Sequence, residues 1–403
     1  LTPFPFKSVK GKSRTYISRD AFIKSFERRF SRLLGREIVY HSKDDRFSIL
    51  PYYWNYTEIR HGSRSQGGHT QYINGCVGKF YIKGRFNDFL PFLILGSELH
   101  VGTKLSNAQG YYLAHGDSPG YFTGYFPAKK AVVSVINDVV NRYDNALQSL
   151  SVTEMFPFNE DAYAENLLQQ IAGNTYLPSP ATAFTIKKKG GDDRLVEQLQ
   201  VRDLIVQQYL LKTISTVFDR FFEEESIGCR KGVSRQRSIE IIQAAIAEGF
   251  RYVLESDIED FYPSVDLKTL ARQLEYYIPE KDTVLKDILL KSIRNGYILN
   301  GVCHERIKGL AQGSPLSPIL ANLYLDAFDE RVKQWNGGDG GIDIENGDGC
   351  VPSPSPMAGA GDGTLDLAGS APSGGVRMVR YADDFIILTK TKEDAERVLA
   401  GTE

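Results

Sequence analysis

The stretch VRYADDFIIL, from Val379 to Leu388, sets two adjacent aspartates between runs of β-favouring apolar residues. Asp383 and Asp384 repel one another and resist burial, so we expect positive charge near them. A companion stretch, VLESDIEDFYPSV, ends an alternating strand with Asp257. Two strands that bring carboxylates to one place would form a site of hard oxygen ligands, the kind that magnesium favours. The alternative is an ordinary polar turn with an unrelated Asp257.

Two further segments point the same way. TIKKKGGDDRLVEQ places Lys188 and Arg194 on either side of a Gly-Gly-Asp-Asp turn, a hairpin whose cations could grip a triphosphate. KGLAQGSPLSPILANLYLD places Gln312 just before a helix that begins at Ser317, where a close backbone and an amide could contact a base pair. Each segment alone is ordinary surface or loop, but the four in this order are hard to assign to chance.

Taken together, these segments resemble a known family. DIEDFYPSV, AQGSPLSPILANLYLD and RYADDFIIL closely resemble the palm motifs of reverse transcriptases of the bacterial group II intron type. SIGCRKGVSRQRSI, residues 226–239, is similar to the family's S-x-G-x-R-x-G-x-S segment, and IKKKGGDDR to its finger hairpin. The resemblance covers about residues 175–395. It implies a right-hand polymerase with fingers and palm that copies an RNA template into DNA with Mg²⁺.

The same resemblance implies roles for individual residues. It makes Asp257, Asp383 and Asp384 the catalytic carboxylates, with the backbone carbonyl of Ile258 as a further metal ligand. The nucleotide contacts that it implies are Lys188 and Arg194 at the triphosphate, Gln312 beside the nascent base pair, and Tyr262 under the sugar. A ring at Tyr262 would clash with a 2′-hydroxyl, so deoxynucleoside triphosphates on a DNA primer are the expected substrates.

The first part of the chain carries a second resemblance. Residues 73–114, from INGCVGKFYIKG to GYYLA, are similar to the C-terminal end of the CRISPR repeat-RNA processing endonucleases, which have paired ferredoxin-like domains. Ala108 departs from the family's usual glycine. Residues 7–36 hold ten Lys or Arg against two acidic residues, which favours a polyanionic partner such as CRISPR RNA. The RNA contacts expected here are Lys7, Lys10, Arg14, Gly102 and Lys104. A generic β-rich RNA-binding domain is the alternative.

Cleavage of RNA by this first domain is left open. The general-base histidine of that family usually lies in the first of its two halves, and we expect this chain to begin within the second. We expect His41, His61, His69 and His100 to be structural or exposed to solvent.

The sequence predicts an α+β chain of several domains. The expected order is a ferredoxin-like domain (1–118), a helical connector (119–155) and reverse transcriptase fingers and palm (156–403). A Gly-, Asp-, Ser- and Pro-rich insertion at 337–375 has no Lys or Arg and is predicted to be flexible. No apolar run approaches the roughly 20 residues of a membrane span. We therefore expect a prokaryotic cytoplasmic protein that does not bind membranes.

The function predicted from these features is RNA-directed DNA synthesis within a CRISPR adaptation fusion, which would make DNA from RNA for spacer acquisition. The chain starts with Leu and stops within a helical pattern, so we expect a piece of a longer polypeptide, with a CRISPR integrase fused or associated. Alternatives are a group II intron maturase or another bacterial defence reverse transcriptase whose first domain only binds RNA. An RNA-binding scaffold with a degenerate palm and a viral-type RNA polymerase fit the motifs less well.

Overall fold

The computed structural model describes residues 19–42, 44–62, 70–101, 110–114, 122, 126, 128–146, 160–187, 193–334 and 375–402. The chain divides into two compact units, and the boundary along the chain falls between Ser118 and Pro119. Both units mix helices and strands, so the predicted α+β class is confirmed. None of the described helices is long and apolar enough to cross a membrane.

The first unit is built around a long hairpin and two helices. Its elements are α1 (Arg19–Leu34), β1 (Arg46–Gly62), β2 (Thr70–Arg85) and α2 (Leu90–Leu99). The strands pair antiparallel along their length, with a register irregularity between Leu50 and Tyr53. The helix expected from the apolar period of AFIKSFERRFSRLL and the strand expected from CVGKFYIKG are both present.

Aromatic side chains fill the core of this unit. Helix α1 contributes Phe22, Phe26 and Phe30, which recur every fourth residue and so share one face of the helix. Phe89 lies between them and the hairpin, with its ring 5.4 Å from that of Phe47. The buried carboxylate of Asp45 accepts the N–H of Phe89 at 2.9 Å and so satisfies a backbone donor at the start of α2.

The second unit contains most of the helices and two sheets. Its helices are α3 (Lys129–Ala146), α4 (Glu160–Ala172), α5 (Val201–Phe218), α6 (Gln236–Ala247), α7 (Phe261–Ser264), α8 (Leu267–Tyr277), α9 (Thr283–Ile293), α10 (Ser317–Gln334) and α11 (Lys392–Thr402). Its strands are β3 (Ala181–Lys187), β4 (Asp193–Gln198), β5 (Tyr252–Asp257), β6 (Tyr297–Leu299), β7 (Val302–His304), β8 (Val376–Tyr381) and β9 (Asp384–Thr389). One sheet has the strand order β4-β3-β6-β7 and the other β5-β9-β8.

Helix α5 is buried more widely than its sequence indicates. The apolar period predicts one buried side. In the structure α5 packs against α3, α9 and α10, so more than one side of the helix is buried. The period of QVRDLIVQQYLLKTISTVFDRFF predicts Leu204, Leu211 and Phe221 in the core, but these three are only partly buried. Ile205, Val206 and Leu210 are buried in addition. Helix α3, in the predicted connector, packs against α4 and α5 within this second unit.

Helices cover both faces of the three-stranded sheet, and this arrangement positions the aspartate doublet. Alternate residues of β9 point to opposite faces, so Phe385 and Ile387 pack with Phe328 and Val332 of α10. Leu388, on the other face, packs with Ala245 of α6 and with Phe250. Asp384 shares the α6 face, since it lies four residues before Leu388.

Candidate active site

Two of the predicted carboxylates lie directly opposite each other in the three-stranded sheet. Strands β5 and β9 are antiparallel, and their last pair in the register is Asp257 with Asp384. Side chains of an opposed pair point to the same face, with β-carbons about 4.5–5.5 Å apart. Both aspartates are exposed to solvent and line an open cleft of about 660 Å³ that runs beside α6. The fold thus brings together two carboxylates that are 127 residues apart in the sequence.

The third carboxylate, Asp383, lies in the two-residue turn between β8 and β9. Tyr381 pairs with Asp384, so only Ala382 and Asp383 connect the strands. Ala382 has a φ of 60°, at the first central position, where a hairpin of this kind usually has glycine. A left-handed conformation costs an alanine about 1–2 kcal/mol, so other contacts must hold the turn in this shape. One of them is a hydrogen bond of 2.7 Å that the guanidinium of Arg380 donates to the carbonyl of Ala382.

Two further side chains stand near Asp383. Burial raises the pKa of the Cys229 thiol, and the charge of Asp383 raises it further. Burial also raises the pKa of Tyr262 to about 12; Cys229 and Asp383 add to this shift, and Arg194 opposes it. Such charge effects fall off with distance, so the ring of Tyr262 lies near both Asp383 and Arg194. Its phenol is protonated at neutral pH, and the ring acts there as an uncharged surface.

Arg194 and Gln312, the two predicted nucleotide contacts on separate segments, touch each other. The Nε of Arg194, at the start of β4, donates to Oε1 of Gln312. The loop of Gln312 is docked on β4, because the N–H of Glu197 donates to the carbonyl of Gln312 at 2.8 Å. Gly313 has a φ of 132°, and a β-carbon there would lie 2.0 Å from the carbonyl oxygen of Glu197. Only glycine permits so close an approach.

The same loop is also tied to the carboxylate side of the site. The N–H of Leu310 donates to the carbonyl of Tyr262 at 2.7 Å, and the N–H of Gly309 to that of Val265 at 2.8 Å. The loop of Gln312 is therefore hydrogen-bonded both to the segment of Tyr262 and to the strand of Arg194. Ile258, the predicted carbonyl ligand, follows Asp257 at the end of β5 and is half-buried.

Several predicted residues lie outside the described part of the chain. They are Lys188, most of the 337–375 insertion, His69, and the RNA contacts Lys7, Lys10, Arg14, Gly102 and Lys104. In the first unit His41 is exposed, and His100 is half-buried with its ring 5.5 Å from that of Tyr111.

The residues of the site fit a divalent cation by their donor chemistry. Asp257, Asp383 and Asp384 supply carboxylate oxygens, and magnesium binds such ligands in preference to nitrogen or sulfur. Within the described ranges, no three His, Cys, Asp or Glu side chains are gathered closely enough to form a complete metal site. The fit therefore rests on the backbone register and on the carboxylate ligands that the three aspartates supply. Their side chains would have to rotate toward one another to bind an ion together.

Sequence reasoning missed Cys229 and Arg380. The segment around Cys229 was recognised by its S-x-G-x-R pattern, but nothing in that pattern indicates that it reaches the aspartates. Arg380 carried a usable signal, because in the alternating strand VRMVRY it shares a face with the apolar Val376 and Met378, where a cation needs a buried partner. The positive charge expected near the doublet is thus present three residues before Asp383, although its ion-pair partner is Asp329.

Comparison with known proteins follows the same division into two units. The family model "Reverse transcriptase (RNA-dependent DNA polymerase)" matches residues 186–403. The model "CRISPR-associated endoribonuclease Cas6" matches residues 1–112. The group II intron-encoded protein LtrA of Lactococcus lactis subsp. cremoris is 27% identical over 201 residues, which is 48% of this chain and 32% of that protein. Protein YkfC of Escherichia coli is 25% identical over 238 residues, 58% of this chain and 60% of YkfC.

Among solved structures, a chain of a partial Cas6-RT-Cas1–Cas2 complex aligns with 97% of this chain and 63% of its own length, at 20% identity and a TM-score of 0.45. The chain spans about a third of LtrA and 60% of YkfC.

Proposed function

Because the chain belongs to the reverse transcriptase (RNA-dependent DNA polymerase) family, we propose that its second unit copies RNA into DNA. The observation that carries this proposal is the register pair of Asp257 and Asp384 with Asp383 in the adjoining turn. In this proposal the four-stranded sheet with its β3–β4 hairpin is the fingers, and the three-stranded sheet is the palm. Primer extension on an RNA template by the complete protein, with sequencing of the product, tests it; a product that does not copy the template would contradict it.

Asp257, Asp383 and Asp384 would hold magnesium, with the carbonyl of Ile258 beside them. Divalent ions bound there would favour ionisation of a primer 3′-hydroxyl and neutralise charge on the departing pyrophosphate. The protein's own contribution is to place both partners of the reaction. Arg194, with Lys188 from the same hairpin, would grip the triphosphate, since a guanidinium can contact phosphate oxygens through two parallel hydrogen bonds.

Tyr262 and Gln312 would select the nucleotide. The Tyr262 ring lies close to Asp383 and is held through the backbone by the loop of Gln312. An uncharged ring at that place would pack under a deoxyribose and leave no room for a 2′-hydroxyl. The amide of Gln312 would face the nascent base pair while its oxygen accepts from Arg194. The hydrogen bond between Arg194 and Gln312 would in this way couple recognition of the triphosphate to recognition of the base pair.

For the first unit we propose RNA binding by a ferredoxin-like domain. Helix α1 carries Lys24, Arg28 and Arg32 at four-residue intervals, so the three cations share one face, and all three are exposed. Arg29 has a different task, because its guanidinium donates twice to the carbonyl of Leu99 at the end of α2. A stripe of exposed cations on a rigid helix fits the phosphates of RNA.

Reversing the charge of the three stripe residues tests this assignment. The combined Lys24→Glu, Arg28→Glu and Arg32→Glu protein is expected to bind RNA about 10- to 100-fold more weakly and with a smaller salt dependence, because fewer counterions are released. Filter binding at several salt concentrations measures both quantities. The matched control, Lys24→Arg with Arg28→Lys and Arg32→Lys, keeps the charge and should bind as the wild type does. Unchanged RNA affinity in the charge-reversed protein would exclude the stripe.

The presence of both family matches in one chain supports a role in CRISPR adaptation. In this proposal the protein works in the prokaryotic cytoplasm with an integrase, fused or associated, which inserts the newly made DNA as a spacer. The similarity to LtrA over the polymerase region supports the second candidate, an intron-type or defence reverse transcriptase whose first unit only binds RNA.

Acquisition of spacers from a spliced transcript distinguishes the two candidates. Cells that carry the complete system and a self-splicing transcript are expected to gain spacers that span the splice junction, because only an RNA contains that sequence. The Asp384→Asn variant should gain none of these and still gain spacers from DNA. A wild-type system that never records the junction would favour the second candidate.

A further inference from the structure

A fully buried cation lies on β8, three residues before Asp383. Arg380 is 0% exposed, and so is its partner Asp329 on α10. The two form a forked ion pair, with Nε to Oδ1 at 2.7 Å and Nη2 to Oδ2 at 2.5 Å. A buried guanidinium is tolerated only where its charge is paired and its hydrogen-bonding groups are satisfied. The arrangement around Arg380 meets both conditions.

All five N–H groups of this guanidinium are used. Two donate to Asp329, and a third, on Nη2, donates to Oγ of Ser226 at 2.7 Å. Nη1 donates to Oδ1 of Asn322 at 3.1 Å and to the carbonyl of Ala382 at 2.7 Å. A lysine has three donors and no planar fork, so it could not make this set of contacts. We call these residues, Ser226, Asn322, Asp329 and Arg380, the arginine hub.

The hub joins two separate segments to β8 and its turn. Helix α10 provides Asn322 and Asp329, and the loop before α6 provides Ser226. That loop also runs alongside β8, where the N–H of Arg380 donates to the carbonyl of Glu225 and the N–H of Ile227 to that of Arg380, both at 2.9 Å. The side-chain amide of Asn322 donates to the carbonyl of Gly228 at 2.8 Å.

Gly228 brings this loop against the turn itself. A β-carbon at Gly228 would lie 2.3 Å from the backbone nitrogen of Ala382, a distance that no side chain tolerates. Arg230 then fixes the loop from its other end, through hydrogen bonds to the carbonyls of Glu223 and Ser226 and an ion pair with Asp219 at 2.7 Å. The S-x-G-x-R pattern therefore has a physical explanation in which each named residue contacts the hub, the turn or the loop.

We propose that Arg380 is a positioning residue, which sets the place of Asp383 relative to Asp257 by holding the left-handed turn at Ala382. The inference rests on the proposed metal-dependent polymerase, and deepens it. The guanidinium touches neither nucleotide nor reacting atoms in this account; it acts through the carbonyl of Ala382. Loss of the hub should therefore weaken metal binding and slow the chemical step, and leave nucleotide and template binding unchanged.

Ser226→Ala is the most selective test, because it removes one acceptor from the hub and no charge. In the complete protein we expect the Kd for Mn²⁺, measured by electron paramagnetic resonance, to rise about tenfold and kcat to fall about 10- to 100-fold, as is usual for groups behind metal ligands. KM for the nucleotide and Kd for the primer-template should stay within about twofold. Ser226→Thr keeps the hydroxyl and should restore both values. Arg380→Lys should show the larger defect.

The control is Tyr277→Phe, which removes a buried hydrogen bond to α10, the helix that provides Asn322 and Asp329. Tyr277 donates to Asp326 of α10 at 2.6 Å, and neither residue belongs to the hub. This variant should lose stability and keep the Mn²⁺ affinity and kcat of the wild type. The proposal is overturned if Ser226→Ala loses stability in the same manner without a change in Mn²⁺ affinity or kcat. It is also overturned if Ser226→Ala fails to fold, because the hub would then support the whole domain.

Failure of the proposed function would look different. A wild-type protein that binds Mn²⁺ and makes no DNA would contradict the polymerase assignment. The Mn²⁺ affinities of the Ser226→Ala and Ser226→Thr proteins would still decide whether the hub positions the aspartates.

Discussion

Replacing Asp384 with asparagine is expected to lower the rate of nucleotide addition on an RNA template by about 10³-fold or more. The amide keeps the shape of the side chain and removes the negative charge that a divalent cation requires. Asp257→Asn should have an effect of the same size, because Asp257 is the register partner of Asp384. Single-turnover incorporation of one nucleotide, followed by rapid quench, measures the loss without interference from product release.

Combining the Asp257 and Asp384 substitutions tests whether the two carboxylates hold the same ions. Two residues that hold the same ions act as a unit, so Asp257→Asn with Asp384→Asn should be little worse than either change alone. Glu259→Gln is the matched control, since Glu259 is exposed, lies two residues beyond Asp257 and carries the same charge. Losses that multiply in the double variant would show that the two carboxylates act independently, against a shared site.

Replacing Tyr262 with alanine is expected to reduce discrimination against ribonucleotides by about 10²-fold, because the ring that excludes the 2′-hydroxyl is removed. The measurement is the ratio of kcat/KM for matched deoxy- and ribonucleoside triphosphates on one template. Tyr262→Phe keeps the ring and is the control, so its ratio should remain that of the wild type. Unchanged selectivity in the alanine variant would take Tyr262 out of this role.

The phenylalanine control also tests the protonation state of the site. Burial, with Cys229 and Asp383, raises the pKa of Tyr262 to about 12, so the phenol stays neutral through the ordinary working range. A folded-state pKa above the ordinary value of 10.0 means that stability from the neutral phenol is lost only as the pH rises from 10.0 toward about 12. Wild type and Tyr262→Phe should therefore share one pH profile near neutrality.

Much of the second unit could be predicted from local sequence patterns. The Ser-Pro start of α10, the hairpin that carries Arg194 and the strand before Asp257 each depend on residues that are neighbours in the chain. Period and turn chemistry are local properties, so sequence patterns reveal them. The family motifs also predict that these segments belong to one site. The sheet register shows how the segments of Asp257 and Asp384 place these two aspartates opposite each other.

The features that could not be predicted depend on distant parts of the chain. Gly228 and Ala382 are 154 residues apart, and no local pattern indicates that one backbone will press on the other. No local pattern identifies Asp329 as the partner of Arg380, because 51 residues separate them in the sequence. The wide burial of α5 has the same origin, because helices from three other parts of the sequence cover it.

We infer that Asp257, Asp383 and Asp384 form the catalytic site of an RNA-directed DNA polymerase. The most direct measurement is single-nucleotide incorporation opposite each of the four RNA template bases, with Mg²⁺ titrated, by the complete wild-type protein and its Asp384→Asn variant. We predict that the wild type adds the complementary deoxynucleotide at each base in a Mg²⁺-dependent manner and that the variant adds none at a comparable rate. Equal incorporation by the two proteins, or incorporation that ignores the template base, would contradict the claim.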